Sequence, residues 1–296
     1  MSDQSKLQSY ITSLCSNKNS LTDVISDLSN VGFKRIELTG SIAYEPDIET
    51  KLLELKERHK LDLCIHNYFP PQPIEFVFNL ASTDPEVKTR CRELFDQAIR
   101  ISLKTGNSLF TCHPGFRHNL LPKQQDRFFI KSDSETCSQE DFYVSLDEIV
   151  STILPQNFKL AVENLSPKSS NDNYSFLASS HDLEYFLNYY KKEKRMGVLL
   201  DLGHLEVAAF HCGFNVTKTL EKILRDHASK IFEIHVSEND GRHDAHHVTS
   251  LNSWQLDFIQ NNRDIFKNTR IVFEWHNAAD AAAFKRYTQI CDKFAW

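Results

Sequence analysis

The run from Ile231 to Val248, IFEIHVSENDGRHDAHHV, begins with strand-forming apolar residues (Ile231, Phe232, Ile234) and delivers His235 at its end. A turn-forming Glu238-Asn239-Asp240-Gly241 follows, and then Asp244, His246 and His247. A strand that ends in an imidazole and feeds a loop of carboxylates and imidazoles is a way to build a metal site on a rigid scaffold. Alone, the stretch reads equally well as a surface loop with solvated histidines. The rest of the chain decides, because the same design recurs along it.

Working outward, short apolar runs alternate with longer amphipathic stretches. The strand expectations are Ser9–Leu14, Arg35–Thr39, Asp62–His66, Ser108–His113, Lys159–Glu163, Gly197–Asp201, Ile231–His235 and Arg270–Glu274. Helices are expected near Leu21–Val31, Ile48–His59, Pro85–Thr105, Glu140–Leu154, His181–Lys194, Val216–His227, Ser253–Asn262 and Ala278–Phe294. Strand and helix in regular alternation is the pattern of a (β/α)8 TIM barrel in the α/β class. A doubly wound open sheet is the alternative, but it usually has fewer strands, and no glycine-rich phosphate fingerprint follows the first strand. A barrel of this length is commonly one domain, so residues 1–296 are expected to form a single one.

A net charge of -6 gives no electrostatic argument for a nucleic-acid partner. The seven cysteines are odd in number, scattered and never in a CxxC pair, which reads as free thiols in a reducing compartment. The opening MSDQSKLQSY lacks the apolar core of a signal peptide, and no window has the roughly 18 apolar residues of a membrane helix. A cytoplasmic location is the expectation, without a membrane partner. Two connections are long: Pro114 to Gln139, basic and aromatic (Arg117, His118, Lys123, Arg127, Phe128, Phe129, Lys131), whose Arg117, Lys123, Arg127 and Lys131 could meet a substrate phosphate or carboxylate, and the polar Asn164 to Ser180. Both follow strands, where long loops act as lids or specificity elements.

Six expected strands end in a potential metal ligand: His66, His113, Glu163, Asp201, His235 and Glu274. His204, Asp244 and His246 follow in adjoining loops. Each alone has a plain structural reading, such as a hydrogen-bonded histidine or a carboxylate N-cap. Together on one barrel rim they are informative, since converging carboxylates repel unless a cation neutralises them. Oxygen and imidazole donors without thiolate suit Mn²⁺, Zn²⁺, Fe²⁺ or Co²⁺. Glu163 and Glu274, on the fifth and eighth strands, could exchange protons with a substrate carbon from opposite faces.

The set IELTG, IHNYFPPQ with NLAS, FTCHPGF, AVENLS, LLDLGHL, EIHVSENDGRHDAH and VFEW resembles the xylose-isomerase-like TIM-barrel superfamily. That group includes sugar and sugar-phosphate isomerases and epimerases and the DNA-repair enzyme endonuclease IV. Resemblance to the ketose epimerases implies one divalent ion, often manganese, on Glu163, Asp201, His235 and Glu274. Glu163 and Glu274 would then be the acid/base pair, and His66 and His204 would touch substrate hydroxyls. Resemblance to endonuclease IV implies a trinuclear set: His66, His113 and Glu163 at one zinc; Glu163, Asp201, His235 and Glu274 at a second; His204, Asp244 and His246 at a third.

Departures from the repair enzymes are His113-Pro114-Gly115-Phe116-Arg117 for HPGxH, Glu163-Asn164-Leu165-Ser166 for ENTAGQG, and Asp201-Leu202-Gly203-His204 for the DTCH turn. An acidic chain also weakens the DNA reading, because Lys and Arg dominate phosphate affinity. Arg242 and His243 are placed for a substrate anion, Tyr68 and Phe69 for lining a pocket, and Trp254 and Trp275 for either sugar stacking or packing. The preferred expectation is a metal-dependent isomerase or epimerase of a sugar or sugar derivative. The alternatives are a trinuclear phosphoesterase, on abasic-site DNA or a small phosphodiester, and a carbohydrate binder without turnover, against which the paired glutamates argue. Barrels of this group frequently pair, so a homodimer is an open expectation with no interface residue to name.

Overall fold

The computed structural model describes residues 7–124, 127–131, 136–167 and 174–296, and the side chains among them other than those of 123–129. Eight parallel strands close into a barrel: β1 (Gln8–Thr12), β2 (Arg35–Leu38), β3 (Asp62–His66), β4 (Leu109–Cys112), β7 (Lys159–Glu163), β8 (Met196–Asp201), β9 (Ile231–Val236) and β10 (Arg270–Phe273). β10 closes on β1 with Gln8 opposite Arg270 and Ile11 opposite Phe273. The fold is a (β/α)8 TIM barrel, as the alternation of elements predicts.

The strands read as nearly continuous apolar runs because both faces are covered. Alternate residues nevertheless separate two environments. Ile36, Leu38, Leu63, Ile65, Leu160, Val162, Ile234, Val236, Ile271 and Phe273 belong to the main core, which lies between sheet and helices. Their neighbours point into the barrel, where Tyr10, Cys64 and Val272 form a small apolar cluster of their own. The two-residue period then places His66 above Cys64, Glu163 above Ala161, Asp201 above Leu199, His235 above Glu233 and Glu274 above Val272. His66, Glu163, Asp201 and His235 are thus the last inward positions of their strands, whereas His113 and Glu274, expected as strand ends, come one residue after β4 and β10.

The helices form an outer ring. They are α1 (Leu21–Val31), α2 (Ile48–His59), α3 (Pro85–Lys104), α4 (Gln139–Thr152), α5 (Ser180–Tyr189), α6 (Leu202–Cys212), α7 (Val216–His227), α8 (Trp254–Asn261), α9 (Arg263–Phe266) and α10 (Ala281–Phe294). Their starts follow capping chemistry: Ser20 accepts from the Asp23 N–H, Asp84 precedes Pro85 at the first helical position, and Ser138 forms a capping box with Asp141.

Several features depart from the sequence expectation, among them the one-turn α9, which was not expected. β1 stops at Thr12 because Ser13–Cys15 tightens into a 3₁₀ turn. α6 was not expected: LGHLEVAAFHC is apolar on nearly every side and offers no single hydrophobic stripe to detect. The long connection after β4 contains an antiparallel hairpin, β5 (Leu120–Gln124) with β6 (Arg127–Ile130), instead of irregular loop throughout. It is tied to the connection after β7, where the Arg117 N–H donates to the Tyr174 carbonyl at 2.6 Å. All seven cysteines are free, and no helix among the described residues is long and apolar enough to cross a membrane.

Candidate metal centre

Glu163, Asp201, His235 and Glu274 converge at the C-terminal mouth of the barrel. Each contributes one ligand atom to a buried set in which all four atoms lie within 4.8 Å of one another. A second set joins His66 and His113 to Glu163, and a third joins His204, Asp244 and His246. Every residue singled out as a ligand from the sequence therefore falls into one of three adjoining groups, with Glu163 shared by two.

Glu163 is the hub. His66 Nε2 and His113 Nε2 lie 3.3 and 3.2 Å from its Oε2, and His204 Nδ1 lies 3.1 Å from its Oε1. None of these approaches has hydrogen-bond geometry, so both buried oxygens lack a partner. Burial alone would raise its pKa, but the close imidazoles of His113, His204 and His66 hold it well below the usual carboxylate range. Asp201 divides its work. Oδ1 accepts from the His204 N–H at 2.6 Å as the N-cap of α6, while Oδ2 is buried without a partner. N-capping, one of the two sequence readings, thus occupies one oxygen of the carboxylate and leaves the other without a hydrogen bond. Burial pushes its pKa up to about 6.

His235 Nδ1 lies 3.1 Å from Glu274 Oε2, within hydrogen-bond geometry. Burial would lower the His235 pKa, but Glu37 and Glu274 raise it well above the usual value. Glu274 is held well below its usual range, against its burial, by His246 and His235. In the third set, His204 Nε2 and His246 Nε2 each lie 3.0 Å from an oxygen of Asp244. Despite burial, Glu274 and Asp244 push His246 up to about 9. Orphaned oxygens at Glu163 and Asp201, among oxygen and imidazole donors, are what a divalent ion would satisfy, and the donor set fits one.

Behind His235 are two residues the sequence reading missed. Glu37 and Glu233 are fully buried, with their oxygens 3.4 and 3.3 Å from His235 Nε2. Arg270 Nη1 donates to Glu233 Oε2 at 2.7 Å. That charge offsets the burial of Glu233 and holds its pKa at about 2, whereas burial pushes Glu37 up to about 8. The signal was present in the sequence: Glu233 is two residues before His235 on the same inward face, and Glu37 sits within IELTG. His276 was also missed. Its ring stacks on His246 at 4.1 Å, and with His246 and Glu274 it makes a further group of ligand atoms.

Several motif residues position the site. Asn164 clasps two strands: Nδ2 donates to the Asp201 carbonyl at 3.0 Å, and Oδ1 accepts from the Asp201 N–H at 2.9 Å. Asn79 of NLAS accepts from the Phe116 N–H and donates to the His118 carbonyl, fastening the loop that carries His113. Gly115 in that loop has φ +99°, and a Cβ there would meet Asn79 Oδ1 at 2.4 Å. Only glycine fits both demands.

A cavity of about 1190 Å³ opens above the centre, with His66, His113, His204, Asp244, His246 and Glu274 in its lining. Tyr68 and Arg242 line it too. The Tyr68 hydroxyl accepts the Phe78 N–H at 2.9 Å, which fixes the ring in the lining and leaves the O–H proton free to donate. The Arg242 guanidinium lies 5.1 Å from the Phe210 ring centroid. Other expectations are corrected. Phe69 is buried in the main core and does not line the cavity. Trp275 is fully buried and donates to Thr249 Oγ1, so it packs. Trp254 packs against the core and donates to Glu206. Arg117 pairs with Asp182 and lies over the Phe176 ring, and Lys131 pairs with Asp84. The side chains of Lys123, Arg127, Phe128 and Phe129, and residues 168–173 of the second long connection, lie outside the described residues.

A family profile described as xylose isomerase-like TIM barrel matches residues 25–293. The chain belongs to this family. Among solved structures, the xylose isomerase-like barrel described here is similar to a D-tagatose 3-epimerase-like protein. The TM-score is 0.71 at 20% identity, covering 98% of this chain and 97% of that one. It is also similar to D-psicose 3-epimerase from Clostridium cellulolyticum H10, with TM-score 0.63, 14% identity, and 98% and 96% covered. A xylose isomerase domain protein from Alicyclobacillus acidocaldarius gives TM-score 0.66 at 13% identity, with 98% and 100% covered. No curated protein matches the chain by sequence. At these identities the likeness carries the fold, and the chemistry must be argued from the centre itself.

Proposed function

We propose that this barrel is a divalent-metal-dependent isomerase or epimerase of a sugar or sugar derivative, with the whole chain as one functional unit. The observation that carries this reading is the convergence of Glu163 and Glu274 from β7 and β10 on one buried set with Asp201 and His235. Those four residues would hold the ion, with manganese or zinc favoured and iron or cobalt also suited to the donors. When bound, such an ion polarises a substrate carbonyl or hydroxyl.

Glu163, kept as a carboxylate by the surrounding histidines, takes the proton from the carbon next to the carbonyl. Glu274, also a carboxylate at rest, takes up a proton from water in the cavity and delivers it to the opposite face, which inverts that carbon, while Glu163 gives its proton back to water. Microscopic reversibility lets the two exchange roles in the reverse direction. His66 and His204 face the same cavity and orient substrate hydroxyls, Tyr68 supplies a ring face, and Arg242 meets an exposed polar group of the substrate.

The test is solvent deuterium incorporation into a panel of ketoses by the metal-loaded protein. Glu163→Gln should lower both exchange and turnover by roughly 10²–10⁴-fold. Survival of both would refute the acid/base assignment.

A second reading has its own observation. The His66–His113–Glu163 and His204–Asp244–His246 groups are each complete, which supports a three-ion phosphoesterase acting on a small phosphodiester or abasic DNA. Metal content of protein purified without chelator separates the two readings. About one equivalent favours the epimerase, and about three favours the hydrolase. His246→Ala should leave a one-ion enzyme nearly intact and disable a three-ion one.

A further inference from the structure

β4 carries a buried hydroxyl beneath the rim. Thr111 is two residues past Leu109 and two before His113 on the inward face, and it stands opposite His66 in the register of β3 and β4. Its Oγ1 lies 2.9 Å from His66 Nδ1 and 3.2 Å from Glu233 Oε1. A threonine hydroxyl has one proton to give and lone pairs with which to receive. Glu233, joined through Oε2 to the Arg270 guanidinium at 2.7 Å, is a carboxylate and offers only acceptors. The Thr111 proton therefore goes to Glu233, and the lone pair left facing His66 requires a proton on Nδ1. Burial keeps the ring neutral by lowering its pKa, so one N–H is all it carries and Nε2 is bare. Nε2 lies 3.3 Å from Glu163 Oε2, and no hydrogen bond joins them, as two facing lone pairs require.

We infer that Thr111 is a positioning residue: anchored by Glu233, it locks His66 as the Nδ1-protonated tautomer, so that Nε2 presents a lone pair to the cavity. His66 then accepts from a substrate O–H, a role that rests on the carbohydrate reading above, and the group it meets is a hydroxyl and not the carbonyl. In the three-ion alternative the same lone pair ligates a cation. The opposite tautomer would place an N–H there, which donates to Glu163 or to a carbonyl and serves neither role. Outer partners that set a histidine's tautomer are typically worth about 10–100-fold in activity or metal affinity.

The experiment has two readouts. The first is long-range proton–nitrogen correlation NMR of the metal-free full chain labelled with nitrogen-15 in its histidines, with His66→Gln identifying the His66 signals. The wild type should show His66 protonated at Nδ1. Thr111→Ser, which keeps the hydroxyl, should retain that pattern, and Thr111→Val should move the proton wholly or partly to Nε2. The second is solvent deuterium incorporation into the ketose panel by the manganese-loaded proteins. It should fall roughly 10–100-fold in Thr111→Val and be rescued to within a few-fold of the wild type in Thr111→Ser. A wild-type His66 protonated at Nε2, a tautomer unmoved in Thr111→Val, or one that moves without loss of exchange would overturn the inference and leave the carbohydrate reading in place. The wild-type spectrum needs no substitution, so the lock stays refutable if Thr111→Val fails to fold. Absence of exchange into every ketose by the wild type would overturn the carbohydrate reading and the hydroxyl role with it, while the spectrum still judges the tautomer.

Discussion

Arg270→Met tests whether the barrel interior below the centre acts as a unit. Arg270 donates from Nη1 to Glu233 Oε2 at 2.7 Å and from Nη2 to Asn107 Oδ1 at 3.0 Å, with its guanidinium 5.3 Å from the Tyr10 ring centroid. Its side chain is 10% exposed and that of Glu233 is fully buried. Methionine keeps much of the stem but removes the charge, leaving Glu233 as an unpaired carboxylate beside the already neutral-leaning Glu37. Removing one partner of such a pair costs about 3–5 kcal/mol. At about 2 °C per kcal/mol for a chain of this size, Tm should fall by roughly 6–10 °C. Glu233 also faces His235 Nε2 at 3.3 Å, so the loss should reach the centre, where disturbed support of a ligand typically weakens metal binding about 10–100-fold.

The assay is thermal unfolding in chelator, together with Co²⁺ titration followed by its visible spectrum, on Arg270→Met, Glu233→Gln and the double variant. The pair should be non-additive, with the double variant more stable than the sum of the two single effects implies. Additivity within about 0.5 kcal/mol, or unchanged cobalt affinity in both single variants, would refute the reasoning.

Two further outcomes are expected. Glu37, normally near 4.5, is pushed up to about 8 by burial, so folding keeps it protonated while the unfolded chain releases the proton. A raised carboxyl pKa makes the folded state lose stability as pH rises from about 4.5 to about 8. Glu37→Gln removes that loss, so its Tm advantage over the wild type in chelator should be absent near pH 4.5 and grow toward pH 8. An advantage that does not change with pH would contradict this. Gly203→Ala would place a Cβ 2.6 Å from Asn239 Nδ2 and 2.8 Å from Ser237 Oγ, at the base of the loop carrying Asp244 and His246. It should cost about 1–3 kcal/mol and reduce metal content, read by melting and elemental analysis, whereas Gly213→Ala, with open space around it but φ +73°, should cost stability through backbone strain alone and leave metal content unchanged.

The sequence by itself determined the barrel and its rim. Apolar runs too short for helices, alternating with amphipathic stretches, give parallel strands with covering helices, and eight of them favour a closed barrel over an open doubly wound sheet. Residues such as Glu163, Asp201 and His235 had to be the last inward positions of their strands. Local chemistry also fixed the helix starts, because Ser138 and Asp84 cap through atoms a few residues away. What only the tertiary structure decided was which side chains share an environment. Glu37, Glu233 and Arg270 lie far apart in the chain, and their meeting below His235 depends on the barrel's register, which no local period records. The same holds for Asp201, one of whose oxygens caps α6 from Leu202 while the other stays buried without a hydrogen bond. It holds also for Trp275 and Phe69, which packing withdrew from the pocket. Burial and register are properties of the closed sheet, so the chemistry of the rim was legible from sequence and its support was not.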